Sequence, residues 1–267
     1  MKNILLLVHD DSGQEARLQA ALDVTRAVEG HLTCADVVVM PALVADFYSG
    51  AGQAMLLEDE RVREADNKVA LEARLAHEDV PWDWVCSTGD MAACLMDTAA
   101  LSDLIVVNRK LDTFPVPDMK RVAAEIVMKS GKPVLAVPEA SRGMNVGGTA
   151  LVCWDGSGAA EAALRAAAPL LALSEKVVML EVRDGKIAAP AEAGAIYLSR
   201  HGVTPRILRK ELLRGDVGTL ILDEVRQQHA DYVVMGGFGH ARFVQALFGG
   251  VTRRMLDKCP VPILLAH

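Results

Sequence analysis

One pattern is written twice in this chain, and a duplicated unit restricts the fold to two like bodies. Near the start, Ile4-Leu5-Leu6-Leu7-Val8 runs into His9-Asp10-Asp11-Ser12; later, Ala150-Leu151-Val152-Cys153-Trp154 runs into Asp155-Gly156-Ser157. Each apolar run ends in Asp-x-Ser and is followed by a helical pattern. Leu18, Ala21, Leu22 and Thr25 recur at i, i+3, i+4 and i+7, as do Leu164, Ala167, Ala168 and Leu171. Ser12 with Glu15 three residues on reads as a capping box. Gly89-Asp90 matches Gly215-Asp216, and Asp103-Leu104-Ile105-Val106-Val107 matches Asp231-Tyr232-Val233-Val234-Met235. The ending Pro133-Val134-Leu135-Ala136-Val137 matches Pro260-Val261-Pro262-Ile263-Leu264.

Strand-like runs alternate with helical stretches in each half. They fall near 3–9, 32–39, 80–87, 103–108 and 133–137, then near 149–154, 176–182, 203–212, 231–236 and 261–266. Strands separated by helices imply right-handed crossovers and an α/β fold with a doubly wound, five-stranded parallel sheet in each half. The 267 residues suit two domains, 1–140 and 149–267, with a glycine-rich linker near Ala140–Gly148. The first half carries the longer insertion, Met40–Val80. Its Tyr48-Ser49-Gly50-Ala51-Gly52 stretch reads as a loop and the charged segment after it as an exposed helix.

Composition removes several classes of function. Half of the residues are hydrophobic but only 4% are aromatic, the filling expected of a helix-covered parallel sheet. A net charge of −7 argues against a nucleic-acid partner, which needs clustered Lys and Arg. The basic pair Arg253 and Arg254 reads as a solvated helix face. The apolar run Ile4 to Val8 is too short for a signal-peptide core or a membrane span. Five cysteines with no CxxC pair read as reduced, mostly buried thiols of a cytoplasmic protein. No P-loop, no G-x-G-x-x-G after a first strand and no G-x-S-x-G is present. Nor do paired carboxylates or a His/Cys cluster stand at metal-ligand spacing. Trp82 and Trp84 alternate onto one strand face and read as packing residues.

Chemistry concentrates between the fourth strand and the last helix of the second half. There Met235-Gly236-Gly237-Phe238-Gly239-His240 leads, through nine residues after Gly239, to Gly249-Gly250-Val251-Thr252. Ligands of open α/β sheets sit outside the carboxyl ends of the strands, where this segment falls. Glycines there let backbone approach a polyphosphate, and a helix opening at Gly249 to Val251 turns free N–H groups toward an anion.

That spacing, with Asp155 after the first strand, resembles the ATP-binding group of the universal stress protein family, whose motif is G-x2-G-x9-G-(S/T). The resemblance implies two Rossmann-like domains related to the adenine nucleotide alpha hydrolases, and a role in stress response or signalling. It implies ATP, or AMP or ADP, with Mg²⁺ able to bridge the phosphates. Asp155 and Val182 would then meet the adenine or ribose end, with Met235 and Gly236 beside the ribose. Gly239, His240, Gly249, Gly250, Val251 and Thr252 would surround the phosphates. Gly250 stands where the family has Ser or Thr, so one hydroxyl donor is lost, and Thr252 is a candidate to replace it. The resemblance further implies that the last strands of the two halves pair within the chain, and that the whole forms a homodimer.

In the first half the motif glycines are replaced by Asn108, Leu111 and Val122, with Ala123 opposite Gly250. Side chains and the Phe114-Pro115-Val116-Pro117 segment then occupy the approach to any cradle. One nucleotide site, in the second half, is the expectation. Two plainer readings stay open: the glycines serve only tight packing, and Asp155 caps the helix after it. The motif segment offers no lysine and no carboxylate, so a binding module ranks ahead of a nucleotide-free interaction protein and of a slow ATPase.

Overall fold

A computed structural model describes residues 1–39, 50–111, 118–183, 187–212, 215–238 and 250–267. Ten described strands form one sheet, in the order β3-β2-β1-β4-β5-β10-β9-β6-β7-β8. In the first half these are β1 (Asn3–Val8), β2 (His31–Val39), β3 (Trp82–Gly89), β4 (Leu104–Lys110) and β5 (Val134–Pro138). The second half repeats them as β6 (Thr149–Trp154), β7 (Lys176–Arg183), β8 (Arg206–Glu211), β9 (Tyr232–Gly236) and β10 (Ile263–Ala266). Within each half all pairs are parallel. The halves meet at β5 and β10, which run antiparallel with Leu264 opposite Leu135. The last strands thus pair within the chain.

The strands read as unbroken apolar runs because both of their faces are covered. Ile4, Leu6 and Val8 face a core closed by α1 (Gln14–Ala27), α2 (Gly50–Leu75), α5 (Gly158–Leu171) and α6 (Ala191–Ser199). Leu5 and Leu7 face the opposite core, closed by α3 (Met91–Thr98), α4 (Met119–Lys129), α7 (Val217–Gln227) and α8 (Gly250–Lys258). This is a three-layer arrangement, helices on either side of one continuous sheet.

Two local expectations fail. No capping box forms at α1: the N-cap is Gly13, without a side-chain cap, and Glu15 pairs with Arg74. Asp11 instead accepts from the Gly13 N–H at 2.8 Å, so the turn is closed before the helix begins. Gly50, Ala51 and Gly52 belong to the first turn of α2 rather than to a loop. A long amphipathic helix recruits them, since its Leu71 and Leu75 are buried on the sheet while Met55, Val62 and Val69 stay exposed.

Among the described residues, no helix is long and apolar enough to cross a membrane. All five cysteines are free; Cys34 and Cys259 are buried, Cys94 and Cys153 half-buried, and Cys86 exposed. Trp82 and Trp84 pack against the α2-side core, and Trp84 Nε1 donates to Asp36 at 3.3 Å.

Candidate functional site

The C-terminal half opens a cavity of about 610 Å³ outside the carboxyl ends of β6, β7 and β9. Its described walls come from five separated stretches of sequence, one of them the segment around Asp216. Asp155 and Ser157 leave β6, Val182 sits near the end of β7, Met235 and Gly236 end β9, and Gly250, Val251 and Thr252 open α8. Seven of the ten residues expected from the sequence therefore share one cavity. The other three, Gly239, His240 and Gly249, lie outside the described residues.

Asp155 is exposed, and its Oδ1 accepts from the Ser157 N–H at 2.9 Å. It does not cap α5, because Ser157 takes that place and accepts from the Ala160 N–H. Gly156 between them has φ +74°, a left-handed conformation that a side chain disfavours, and the Ala189 backbone lies against it. Ala188 N donates to Asp155 O at 2.8 Å and Trp154 Nε1 donates to Ala189 O at 2.9 Å. These bonds lay the segment before α6 over the mouth of the β6–α5 turn.

Gly236 of the motif and Gly250 after it serve different ends. A Cβ on Gly236 would stand 2.6 Å from Ala160 N and 2.7 Å from the Ala159 carbonyl carbon, so this glycine lets α5 approach β9. Around Gly250 a Cβ would meet no atom of the described residues within 4 Å. Gly236 thus answers to packing, whereas Gly250 leaves open space at a helix N-terminus, where N–H groups and the dipole favour an anion. Thr252 is buried, and its hydroxyl accepts from the Phe238 N–H at 3.3 Å. Phe238 itself has φ +61°, and this bond helps hold that unfavourable backbone in place.

Sequence reading missed Asp216 and Arg254 as wall residues. The duplicated Gly-Asp dipeptide was a signal: Asp216 is the N-cap of α7, accepting from Thr219 N at 3.1 Å and from its hydroxyl at 2.8 Å. Those Thr219 bonds, with Arg254 nearby, hold the Asp216 carboxyl below its ordinary range. Arg254 reaches Asp216 at 2.9 Å and also Thr219, so it borders the cavity rather than a purely solvated helix face. Behind Val182, Glu181 is buried beside Arg209 at 3.0 Å and accepts from Ala191 N at 2.8 Å. Burial alone would raise its pKa, but the bonds from Ala191, Arg209 and Arg183 outweigh it and hold the carboxyl below its ordinary value.

The corresponding place in the N-terminal half is filled with protein. Asn108, aligned with Gly236, is fully buried and donates to Gly13 O at 3.1 Å. Arg17, also fully buried, donates to Leu7 O, His9 O, Asp11 and Asn108. A Cβ on Gly13 would meet Leu111 at 2.4 Å and Asn108 at 2.6 Å. The side chains that replace the motif glycines thus close the start of α1.

The model of the universal stress protein family matches residues 148–267, the half that holds the open cavity. Those residues are a domain of the universal stress protein family. A search among curated proteins finds no match. Solved universal stress proteins extend the likeness of fold to the whole chain. One from Archaeoglobus fulgidus DSM 4304 has a TM-score of 0.72 at 15% identity, covering 99% of this chain and 96% of that one. A putative universal stress protein from Pseudomonas aeruginosa UCBPP-PA14 has a TM-score of 0.59 at 16% identity, covering 100% of this chain and 93% of that one. A shorter universal stress protein solved in complex with cAMP has a TM-score of 0.37 at 21% identity, covering 45% of this chain and 95% of that one.

Proposed function

We propose that this universal stress protein binds one adenine nucleotide per chain, ATP or its AMP and ADP relatives, in residues 149–267. The carrying observation is the convergence of Asp155, Val182, Met235, Gly236, Gly250, Val251 and Thr252 on one cavity. Its size of about 610 Å³ lies within the ~300–1,000 Å³ of small-molecule sites. Apolar Leu180, Val182 and Met235 suit a base, and the α8 N-terminus suits phosphates. Gly239, His240 and Gly249 complete the phosphate side in this reading. Domain 1–140, with Asn108 and Arg17 in place of a cradle, is the nucleotide-free partner.

Binding acts in stress response or signalling by biasing a conformation or an association, with turnover slow or absent. The strand edges that the family pairs between chains are consumed here by β5 and β10, so a homodimer would use another surface. Free thiols suit a reducing compartment, and we place the protein in the cytoplasm.

Calorimetry with ATP and AMP tests the reading, alongside chromatography of nucleotides released on denaturing the purified protein. Gly239→Val is expected to weaken ATP at least tenfold, ~1.4 kcal/mol. Gly250→Ser fits the open space and is expected to tighten ATP more than AMP, by roughly 0.5–1.5 kcal/mol for one added hydrogen bond. Two equivalent sites per chain, or unchanged affinity in Gly239→Val, would refute the assignment. Steady-state phosphate release above ~1 s⁻¹, lost in Gly239→Val, would make the protein an ATPase.

A further inference from the structure

The carboxyl end of β1 gathers chemistry that the nucleotide reading does not use. His9, immediately after β1, is buried, and so is Glu64 of α2. His9 Nδ1 lies 2.7 Å from Glu64 Oε1 and 3.8 Å from Glu60 Oε1, with Val37 O at 3.2 Å. One donor atom from each of His9, Glu60 and Glu64 lies within 4.8 Å of the others. Backbone and side-chain donors orient the Glu64 carboxylate: Asp10 N at 3.0 and 3.2 Å and Asn67 Nδ2 at 3.1 Å. Outer partners of this kind hold the carboxylates of metal sites in place.

A second observation points the same way. Asp36 lies across from Val8 in the β1–β2 register, which turns its side chain toward the face that α2 covers. It is only 4% exposed; its Oδ2 accepts from Trp84 Nε1, and its Oδ1 is buried without a hydrogen-bond partner among the described residues. Burial, and then the charge of Glu64, push its pKa up to about 6. Three carboxylates therefore crowd the space under one stretch of helix. The cations near them are partly solvated: Arg63, half-exposed, meets Glu60 at 2.7 Å and Glu64 at 3.8 Å, and Lys68 lies by Trp84 and Cys86. A His–Glu pair suffices to pin α2 to the strand ends. It gives no reason for the orphaned oxygen of Asp36. Buried carboxylates gathered on one imidazole suit a compact cation.

We propose that His9, Glu60 and Glu64 bind a divalent first-row transition cation, Zn²⁺ or Mn²⁺. One imidazole with two carboxylates suits these ions, whereas Ca²⁺ takes six to eight oxygens and Mg²⁺ keeps most of its waters. On binding, the cation draws Glu60 from Arg63, whose head is free to swing into solvent. The site is independent of the cavity in the other half.

Equilibrium dialysis of the full chain, stripped of nucleotide, against Zn²⁺, Mn²⁺, Mg²⁺ or Ca²⁺ tests the proposal. The expected result is one Zn²⁺ or Mn²⁺ per chain, with Mg²⁺ and Ca²⁺ bound far more weakly. Glu60→Gln, at the solvent edge of the trio, is expected to keep the fold by circular dichroism and to lose about tenfold or more in affinity. His9→Asn is expected to abolish binding; should that variant fail to fold, Glu60→Gln decides alone. No uptake of either cation at ~1 mM overturns the proposal, as does a bound cation whose affinity is unchanged in Glu60→Gln.

Discussion

Replacing Gly236 by alanine separates packing from ligand contact at the end of β9. The new Cβ would sit 2.6 Å from Ala160 N and 2.7 Å from Ala159 C, against 3.4 Å or more for ordinary contact. Both neighbours are backbone of α5, so no side chain can rotate away. Relief requires the helix or the strand to move by roughly 0.8 Å, in an interior that is close-packed. Overpacking of this kind costs ~1–3 kcal/mol, while removing a flexible glycine returns at most ~1 kcal/mol. Taking ~2 kcal/mol for the clash less up to ~1 kcal/mol for the glycine leaves ~1–2 kcal/mol, and at ~2–4 °C per kcal/mol for a chain of this size a loss of ~2–8 °C in Tm is expected. Gly250→Ala is the control. Its Cβ meets no atom of the described residues within 4 Å, and alanine is the better helix former, so its Tm should stay level or rise. Far-UV circular dichroism melts without nucleotide compare the three proteins at equal concentration. Gly236→Ala melting at or above the wild type would refute the assignment of this glycine to packing.

Three further outcomes are expected. Fragment 1–140 exposes the β5 edge that β10 otherwise covers and should self-associate; a monomer at high concentration in sedimentation would count against the pairing argument. Asn108→Gly removes a buried acceptor from Arg17 and should cost ~1–3 kcal/mol in denaturant unfolding, while calorimetry still counts one nucleotide per chain. Glu181, held below its ordinary value of 4.5, adds stability that is fully present above that pH and lost as pH falls through its folded pKa. Unfolding followed from pH 7 to pH 3 should therefore show a shallower acid loss in Glu181→Gln, and an unchanged slope would show that Glu181 is not the group responsible.

The fold was legible because its signals are local and repeated. Runs such as Ile4 to Val8 and Ala150 to Trp154 can be buried on both faces only within a helix-covered parallel sheet. Seven cavity residues were legible because the glycine spacing, with Asp155, carries a family resemblance that implies them. Asp216 and Arg254 were not, since each reads in isolation as an ordinary cap or a surface cation, and only the α7–α8 contact brings them together. His9 and Glu64 were hidden more deeply: Asp10 and its partner Glu64 stand 54 residues apart, and only the docking of α2 brings Glu60 and Glu64 to His9. Gly236 and Gly250 look alike as letters, yet only their neighbours reveal that one is crowded and the other open.

The antiparallel seam between β5 and β10 has a geometrical consequence for communication. Because the second set of five strands runs opposite to the first, the carboxyl ends of the two sets emerge on opposite rims of the sheet. His9 and Glu64 therefore stand on one rim, and the cavity around Gly250 stands on the other. No single small molecule can span both. Coupling between them would have to cross the contacts that join the halves, the Leu135–Leu264 pairing and, beside it, the Lys120–Asp257 and Arg109–Leu256 bonds. Ligands at the two proposed sites would face different partners, one at each rim.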